Sequence, residues 1–287
     1  FIAHDRPEGK KETFDYTGAA LFMVGLVAIL AALNEGHAIG WGSPKIVGLF
    51  AAGVVILFLF LKVERKSASP MLDLTLFRSR VFSATTTSAL LNYCCVYSVL
   101  FVIPFLLIQA RGLSPQQAGI VLTAQPIVMA FVAPVSGSMS DRIGSRIPAA
   151  TGMAILTLGL ILLAMFVTNG SLLMIAGALG LIGLGVGMFV SPNNSALMGS
   201  APRARQGIAA GVLATARNAG MVMGIGISGA VLTTVMSRTS GSSGLVAGAR
   251  WALFVAAALS AIGMATSLIR GEATKPSSFS PARPETA

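Results

Sequence analysis

A single charged side chain, Arg217, lies within an apolar segment that runs from Ala209 to Met236, and Asn218 follows it. A guanidinium group donates several hydrogen bonds, so it can hold an anionic or polar group of a ligand. A charge inside a membrane segment costs at least about 2.5–3.5 kcal/mol and usually faces an internal cavity. We therefore expect Arg217 to face a cavity or a polar partner. The alternative is a helix that protrudes from the membrane, with Arg217 extending to the membrane surface.

Further polar side chains lie in two other apolar segments: Asn92, Tyr93, Tyr97 and Gln125. Together with Arg217 and Asn218 they are candidates for lining a substrate cavity, because binding pockets combine apolar walls with a few polar groups. The alternative role, hydrogen bonding between neighbouring helices, is the more common one for polar residues in membrane segments.

The sequence offers little for catalysis or for metal binding. The two histidines, His4 and His37, are far apart, and the two cysteines, Cys94 and Cys95, are adjacent within an apolar segment. An active site needs convergent acids, bases or metal ligands, and none of these patterns supplies them. We predict neither an enzyme nor a bound metal or cofactor.

These residues must be positioned by membrane-spanning helices. The chain is 54% hydrophobic and only 10% charged, with a mean hydropathy of +0.80, whereas soluble domains carry about 25% charged residues. A spanning helix needs about 20 apolar residues, and only helices or closed barrels satisfy their backbone groups in lipid. We predict an all-α polytopic membrane protein whose eight transmembrane helices cover about Tyr16–Leu33, Ile46–Leu61, Phe82–Ile108, Gln117–Met139, Ile147–Val167, Leu172–Val190, Ala209–Met236 and Trp251–Ile269.

The distribution of basic residues predicts the orientation of these helices. The formal net charge is +10, but the basic residues lie at the ends of apolar segments, so we predict no nucleic-acid partner. Lys and Arg accumulate on the side that also holds both chain ends, and cytoplasmic loops are enriched in these residues. We therefore expect a multi-pass protein of the plasma membrane, such as the bacterial inner membrane, with both ends in the cytoplasm.

The stretch GSMSDRIGSR has the composition of a tight cytoplasmic turn. Its residues of interest are Gly137, Asp141, Arg142, Gly144 and Arg146. Glycine permits close helix approach or a positive φ, and an aspartate can cap a helix or pair with an arginine. An ordinary charged turn is the alternative. The pattern resembles the cytoplasmic loop motif of the major facilitator superfamily, and the resemblance implies a loop that latches one conformation of a transporter.

A second stretch, Ser191 to Gly226, resembles the corresponding region of the fourteen-span drug–proton antiporters within that superfamily. In that family a Gly-rich helix ends at a proline, here Pro192, and a basic loop precedes a helix with an arginine, here Arg217. The resemblance implies that the first two spans are an inserted helix pair and that the next six form the C-terminal half. The remaining half would be a partner in the same protein, and the chain would be a piece of it.

The predicted organisation has five parts. They are a cytoplasmic linker (1–15), an inserted pair of transmembrane helices (16–61), a cytoplasmic or interfacial linker (62–81), a C-terminal six-helix transporter half (82–269) and a disordered cytoplasmic tail (270–287). Glycines spaced by four residues on one helix face permit close packing. We expect this role for Gly183, Gly187, Gly220 and Gly224.

The resemblance implies a secondary active transporter that exports small lipophilic or cationic molecules in exchange for protons by alternating access. Its partners would be the lipid bilayer, a small-molecule substrate and protons. The six C-terminal spans contain neither Asp nor Glu, so we expect the proton-coupling acid in the missing half. Two alternatives remain: an exporter of an endogenous metabolite and a non-transporting membrane subunit.

Overall fold

The structure, a computed structural model, describes residues 16–40, 42–64, 74–239 and 242–270. In these ranges the chain forms α-helices without β-strands, which confirms the predicted all-α architecture. The helices are α1 (Tyr16–Ile39), α2 (Pro44–Glu64), α3 (Arg80–Phe105), α4 (Pro115–Leu122), α5 (Ala124–Ile143), α6 (Arg146–Asn169), α7 (Leu172–Gly199), α8 (Gln206–Met236) and α9 (Ser242–Ile269). Short 3-10 turns precede α3 and α8, and a π-turn, Leu106–Ala110, continues α3.

Seven helical segments in the described ranges are long and apolar enough to cross a membrane: Pro44–Glu64, Arg80–Ala110, Pro115–Ile143, Arg146–Asn169, Leu172–Gly199, Arg203–Met236 and Ser243–Ile269. They correspond to the second to eighth predicted spans. The first predicted span is also helical, but the apolar stretch described within it is shorter, Ala20–Ile29. The chain is therefore a multi-pass membrane protein.

Some parts of the predicted organisation lie outside the described residues. These are the linker 1–15, residues 65–73 of the second linker and residues 271–287 of the tail. In the rest of the second linker, residues 62–64 complete α2, and Leu74–Arg78 forms a 3-10 turn.

Helix α7 continues through Pro192, although the sequence suggested that it ends there. Proline lacks an amide hydrogen, so Pro192 leaves the carbonyl of Met188 without its helical donor. The hydroxyl of Ser136 on α5 donates to this carbonyl over 2.8 Å. The neighbouring helix thereby replaces the lost bond, and α7 runs on to Gly199.

Prolines coincide with the irregularities of two other helices. The fourth predicted span divides into α4 and α5 at Thr123, close to Pro126, whose missing amide leaves the Leu122 carbonyl without a helical donor. Pro104 lies in the last turn of α3, directly before the π-turn. Both helices depart from regular geometry where the sequence predicts a bend.

Close packing between helices depends on glycines. Lipid is as apolar as leucine, so helices associate in the membrane through tight van der Waals contact rather than through the hydrophobic effect. Gly152 of α6 and Gly185 of α7 bring the two backbones together, and Gly183 lies directly against the Gln125 backbone of α5. Gly187, also on α7, packs against Val132 of α5.

The contact between α3 and α8 has the same character. A methyl group at Gly220 would meet the carbonyl of Leu90, and one at Gly224 would overlap the carbonyl of Cys94. The two helices can therefore lie backbone to backbone only because these positions lack a side chain.

Helices α1 and α2 form a separate antiparallel pair. Phe22 and Phe60 pack with ring centroids 5.3 Å apart, and Lys45 pairs with Glu35 over 3.1 Å at the turn. The two aromatic rings line a cavity of about 270 Å³ against α8, where Gly207 and Gly211 leave space. The pair thus meets the six remaining spans along the first turns of α8.

We expect Gly224→Ala to lower the stability of the full-length protein by about 1–3 kcal/mol, because the added methyl group forces α3 and α8 apart. Thermal unfolding in detergent measures the effect. Gly177→Ala is the matched control, since Gly177 is exposed on α7 and no atom approaches the added methyl group. Equal stability of Gly224→Ala and the wild type would contradict the tight α3–α8 contact.

Candidate functional site

The described residues bring three of the predicted cavity residues to one surface, which we call the polar face: Tyr93 and Tyr97 on α3 and Arg217 on α8. Tyr93 and Tyr97 lie one turn apart on α3 and are half-buried, whereas Arg217 and Asn218 are exposed on α8. Arg217 lies three residues, about one turn, before Gly220 on α8. The close α3–α8 contact at Gly220 sets this arrangement, because Gly220 packs against the Cβ of Tyr93.

Gln125 lies beside the polar face, at the start of α5. It lines a cavity of about 370 Å³ between α3 and the α4–α5 segment, together with Val96, Leu100 and Pro126. Val96 and Leu100 follow Tyr93 by three and seven residues, so they continue the same surface of α3. The result is an apolar recess next to a polar surface, which suits a ligand with both characters.

Asn92 has a different location from the other candidates. It is buried, and its amide nitrogen donates to the sulfur of Met153 on α6 over 3.5 Å. Its side-chain oxygen has no hydrogen-bond partner among the described residues. Asn92 therefore points into the helix bundle, which corresponds to the alternative of contact between helices.

The motif stretch forms the turn between α5 and α6. Gly144 has a φ of +84° and ends α5, as expected for a tight turn. Gly137 lies against Ser191 of α7, so the glycine permits a close approach of α5 and α7. Arg142 and Arg146 are exposed on either side of the turn.

Asp141 does not make either of the interactions that its type suggested. It lies in the last turn of α5, so it caps no helix N-terminus, and the described residues give it no hydrogen bond or ion pair. A carboxylate at a helix C-terminus faces the negative end of the helix dipole. Asp141 is thus an exposed acid in an unfavourable field, available to a cationic partner.

A buried arginine that the sequence analysis placed in the disordered tail holds this turn in position. Arg270 follows the last residue of α9 and is only 1% exposed. Its guanidinium donates from Nη1 to Oδ1 of Asn193 over 3.1 Å and from Nη2 to the carbonyl of Ser145 within the motif. The amide of Asn193 donates in turn to the Thr85 carbonyl of α3 over 3.1 Å. Arg270 and Asn193 thus connect three helices, α3, α7 and α9, with the motif turn.

The charge of Arg270 is held without a carboxylate among the described residues. Burial, together with the nearby positive charge of Arg146, lowers the pKa of Arg270 to about 10. The guanidinium therefore stays protonated at neutral pH. A buried unpaired charge is costly, so the two acceptors Asn193 and Ser145 are what keep it in place. The sequence signal was an asparagine within an apolar run and an arginine directly after the last span.

No cluster of three or more His, Cys, Asp or Glu side chains that could hold a metal exists within residues 16–40, 42–64, 74–239 and 242–270. Cys94 and Cys95 are buried as free thiols, and the Cys95 thiol donates to the Ala256 carbonyl of α9 over 3.1 Å. Both cysteines thus belong to helix packing.

Comparison with known proteins matches residues 12–225 and 85–287 to the family model of the Major Facilitator Superfamily. Multidrug resistance protein Stp of Mycobacterium tuberculosis is 33% identical over 226 residues, 79% of this chain and 42% of Stp. Riboflavin transporter RibZ of Clostridioides difficile is 33% identical over 215 residues, 75% and 46% of the two chains. Quinolone resistance protein NorB of Staphylococcus aureus is 26% identical over 252 residues, 85% and 54%. The chain spans about half the length of these relatives.

We expect Arg270→Met to loosen the motif turn, because the Ser145 carbonyl loses a hydrogen bond from a charged donor. The loss of such a bond should raise the equilibrium constant for local opening of the turn about tenfold or more. Hydrogen exchange of the backbone amides at residues 144–147 should accelerate by this factor, and exchange in the turn at residues 169–172, at the other end of α6, should not change. Arg203→Gln is the control, since Arg203 is exposed before α8, outside the motif turn, and its side chain makes no hydrogen bond among the described residues. Unchanged exchange in Arg270→Met would show that the arginine does not hold the turn.

Proposed function

Since the chain belongs to the Major Facilitator Superfamily, a family of membrane transporters, we propose that it is part of a proton-coupled exporter of small lipophilic or cationic compounds that works by alternating access. The observation that carries this proposal is the polar face on α3 and α8, where a charged side chain is exposed on an otherwise apolar helix surface. Its relatives include proteins named for multidrug resistance, quinolone resistance and riboflavin transport.

The depth of Arg217 favours a cavity over the membrane surface. Helix α8 has 31 residues and is about 46 Å long, which exceeds the roughly 30 Å of hydrocarbon. The length of α8 alone therefore does not show how deep in the membrane Arg217 lies. Tyr93, however, lies near the middle of the spanning segment Arg80–Ala110, and Gly220, about one turn after Arg217, packs against the Cβ of Tyr93. A guanidinium at mid-membrane depth is costly against lipid. We infer that the rest of the transporter covers the polar face and that a water-filled cavity separates the two.

The composition of this surface supports a flat substrate with apolar and polar parts. Tyrosine rings and the recess at Val96 and Leu100 provide apolar contact, while Gln125 and Arg217 provide hydrogen bonds. The surface carries no carboxylate among the described residues, so the charge of a cationic substrate would have to be balanced by the rest of the protein. Export of an endogenous metabolite is the second candidate, and the similarity to a riboflavin transporter favours it.

Proton coupling places a further demand on the full-length protein. The segment 82–269 contains a single carboxylate, Asp141, and it is exposed at the end of α5 rather than within the membrane. A coupling acid usually lies inside the membrane, so we place it in the part of the protein beyond this chain. Asp141 would instead pair with that part through the motif turn, on the cytoplasmic side of the plasma membrane, where both ends of this chain would also lie.

Inverted membrane vesicles that contain the full-length protein test the function. We expect a proton gradient to drive accumulation of ethidium, a lipophilic cation, and an uncoupler to abolish it. Norfloxacin and riboflavin are assayed in parallel, and uptake of riboflavin alone would favour the metabolite exporter. Residues 1–287 alone should not transport, because the proposed coupling acid is absent. Gradient-driven uptake by that fragment would contradict the location proposed for the acid.

Arg217→Gln should lower the initial transport rate of the full-length protein at least about tenfold, which corresponds to roughly 1.4 kcal/mol in the transport barrier. Arg217→Lys should retain part of the rate, because the charge remains. Arg203→Gln, an exposed arginine before α8, is the control and should transport normally. A cysteine at position 217 should change its reactivity towards a polar thiol reagent between transport states. Equal reactivity in every state would exclude the cavity.

A further inference from the structure

A groove opens at the end of the molecule opposite the motif turn, where α9 begins. It lies between α9, the C-terminal end of α6 and the π-turn after α3, and it has a volume of about 540 Å³. Its walls combine hydroxyl, cationic, aromatic and aliphatic side chains: Thr168, Ser243, Val246, Arg250, Trp251 and Phe254. None of these residues belongs to the polar face, so the groove is a separate site.

The groove lies at the boundary between lipid and water. Helix α9 packs on α3, α6 and α8, and its remaining surface is an apolar stripe formed by Trp251, Ile262 and Ile269, which are 59%, 53% and 70% exposed. Residues separated by 11 and 18 positions share one face of a helix, so this stripe faces lipid. The stripe begins at Trp251, directly after Arg250, and tryptophan is enriched at the membrane surface.

Arg250 is an available cation at the edge of this groove. Its guanidinium lies over the ring of Phe254, 5.6 Å from the centroid, an interaction that leaves the N–H groups free. Among the described residues it has no hydrogen bond or ion pair. Glu35, the described carboxylate on the same side of the membrane, is already paired with Lys45.

The neighbouring helix end does not repel an anion here, although a helix C-terminus carries partial negative charge. Arg111 donates to the carbonyls of the last turn of α6, at Phe166, Val167 and Thr168, over 3.1–3.4 Å. It thereby neutralises the helix end that forms one wall of the groove. The groove is thus cationic at its edge and apolar along its length.

We propose that this groove binds an anionic phospholipid from the leaflet opposite the motif turn, which is the outer leaflet in the orientation given by the basic residues. The phosphate is held by Arg250, whose planar donors match phosphate oxygens in pairs. One acyl chain follows Trp251 and Phe254 into the membrane. The apolar walls select a lipid over free phosphate, and the unpaired cation selects an anionic lipid over a zwitterionic one.

Native mass spectrometry of the delipidated full-length protein tests this site. Phosphatidylglycerol, phosphatidylcholine and glycerol phosphate are each titrated, and we expect phosphatidylglycerol to bind most tightly. Arg250→Gln should weaken its binding about fivefold, the factor that one basic residue contributes near a charged membrane surface. Ala247 also lines the groove, so Ala247→Trp should fill it and weaken lipid binding while leaving Arg250 in place. Arg238→Gln removes an exposed arginine from the same side and should not weaken it.

Four results would overturn the proposal. Phosphatidylglycerol affinity equal to wild type in Arg250→Gln would show that the arginine holds no lipid phosphate. Equal loss of phosphatidylcholine and phosphatidylglycerol in that variant would show that charge is not recognised. Glycerol phosphate binding as tightly as phosphatidylglycerol, or unchanged lipid binding in Ala247→Trp, would show that the groove holds no acyl chain.

Discussion

The hydrocarbon core of the membrane offers no hydrogen-bond partner, and the architecture of this chain depends on that constraint. Each buried polar group must find its partner within the protein. The Met188 carbonyl shows how strictly this applies: Pro192 removes its helical donor, and the hydroxyl of Ser136 on another helix replaces it. The same hydrogen bond holds α5 against α7. The backbone bond that α7 lacks at Pro192 is thus replaced by a contact between two helices. Glycines provide the close approach that such contacts need.

Polar groups that are not satisfied in this way are therefore informative about function. The Arg217 side chain is exposed on α8, about one turn from the contact of Gly220 with Tyr93, where contact with lipid would be costly. The side chain of Asn92, one position before Tyr93, points into the helix bundle instead. Successive residues of a helix are rotated by about 100°. Asn92 therefore packs against α6, whereas Tyr93 lies on the polar face. The direction in which a residue faces around α3 thus decides whether it contacts another helix or lines the proposed cavity.

Hydropathy was sufficient to predict the second to eighth spans, because each of these segments is apolar over a length that crosses the membrane. It could not predict where helices end outside the lipid. Helix α9 begins at Ser242, well before the apolar segment that starts at Trp251, and α7 passes Pro192 because of a side chain from another helix. Arg270 was missed for the same reason. Its partners Asn193 and Ser145 are distant in sequence, and only the packing of α6, α7 and α9 brings them together.

The arginines of this chain show why residue type alone does not give a role. Arg270 is fully buried, and its charge is tolerated because two oxygen atoms accept its hydrogen bonds. Arg111 donates hydrogen bonds to the carbonyls at a helix end. The guanidinium of Arg250 lies above an aromatic ring, and among the described residues it makes no hydrogen bond. Arg217 has no hydrogen-bond acceptor among the described residues, and the role proposed for it is to face a cavity. What distinguishes a structural arginine from one that can bind a ligand is whether its donors are already used, and that property appears only when the helices are packed.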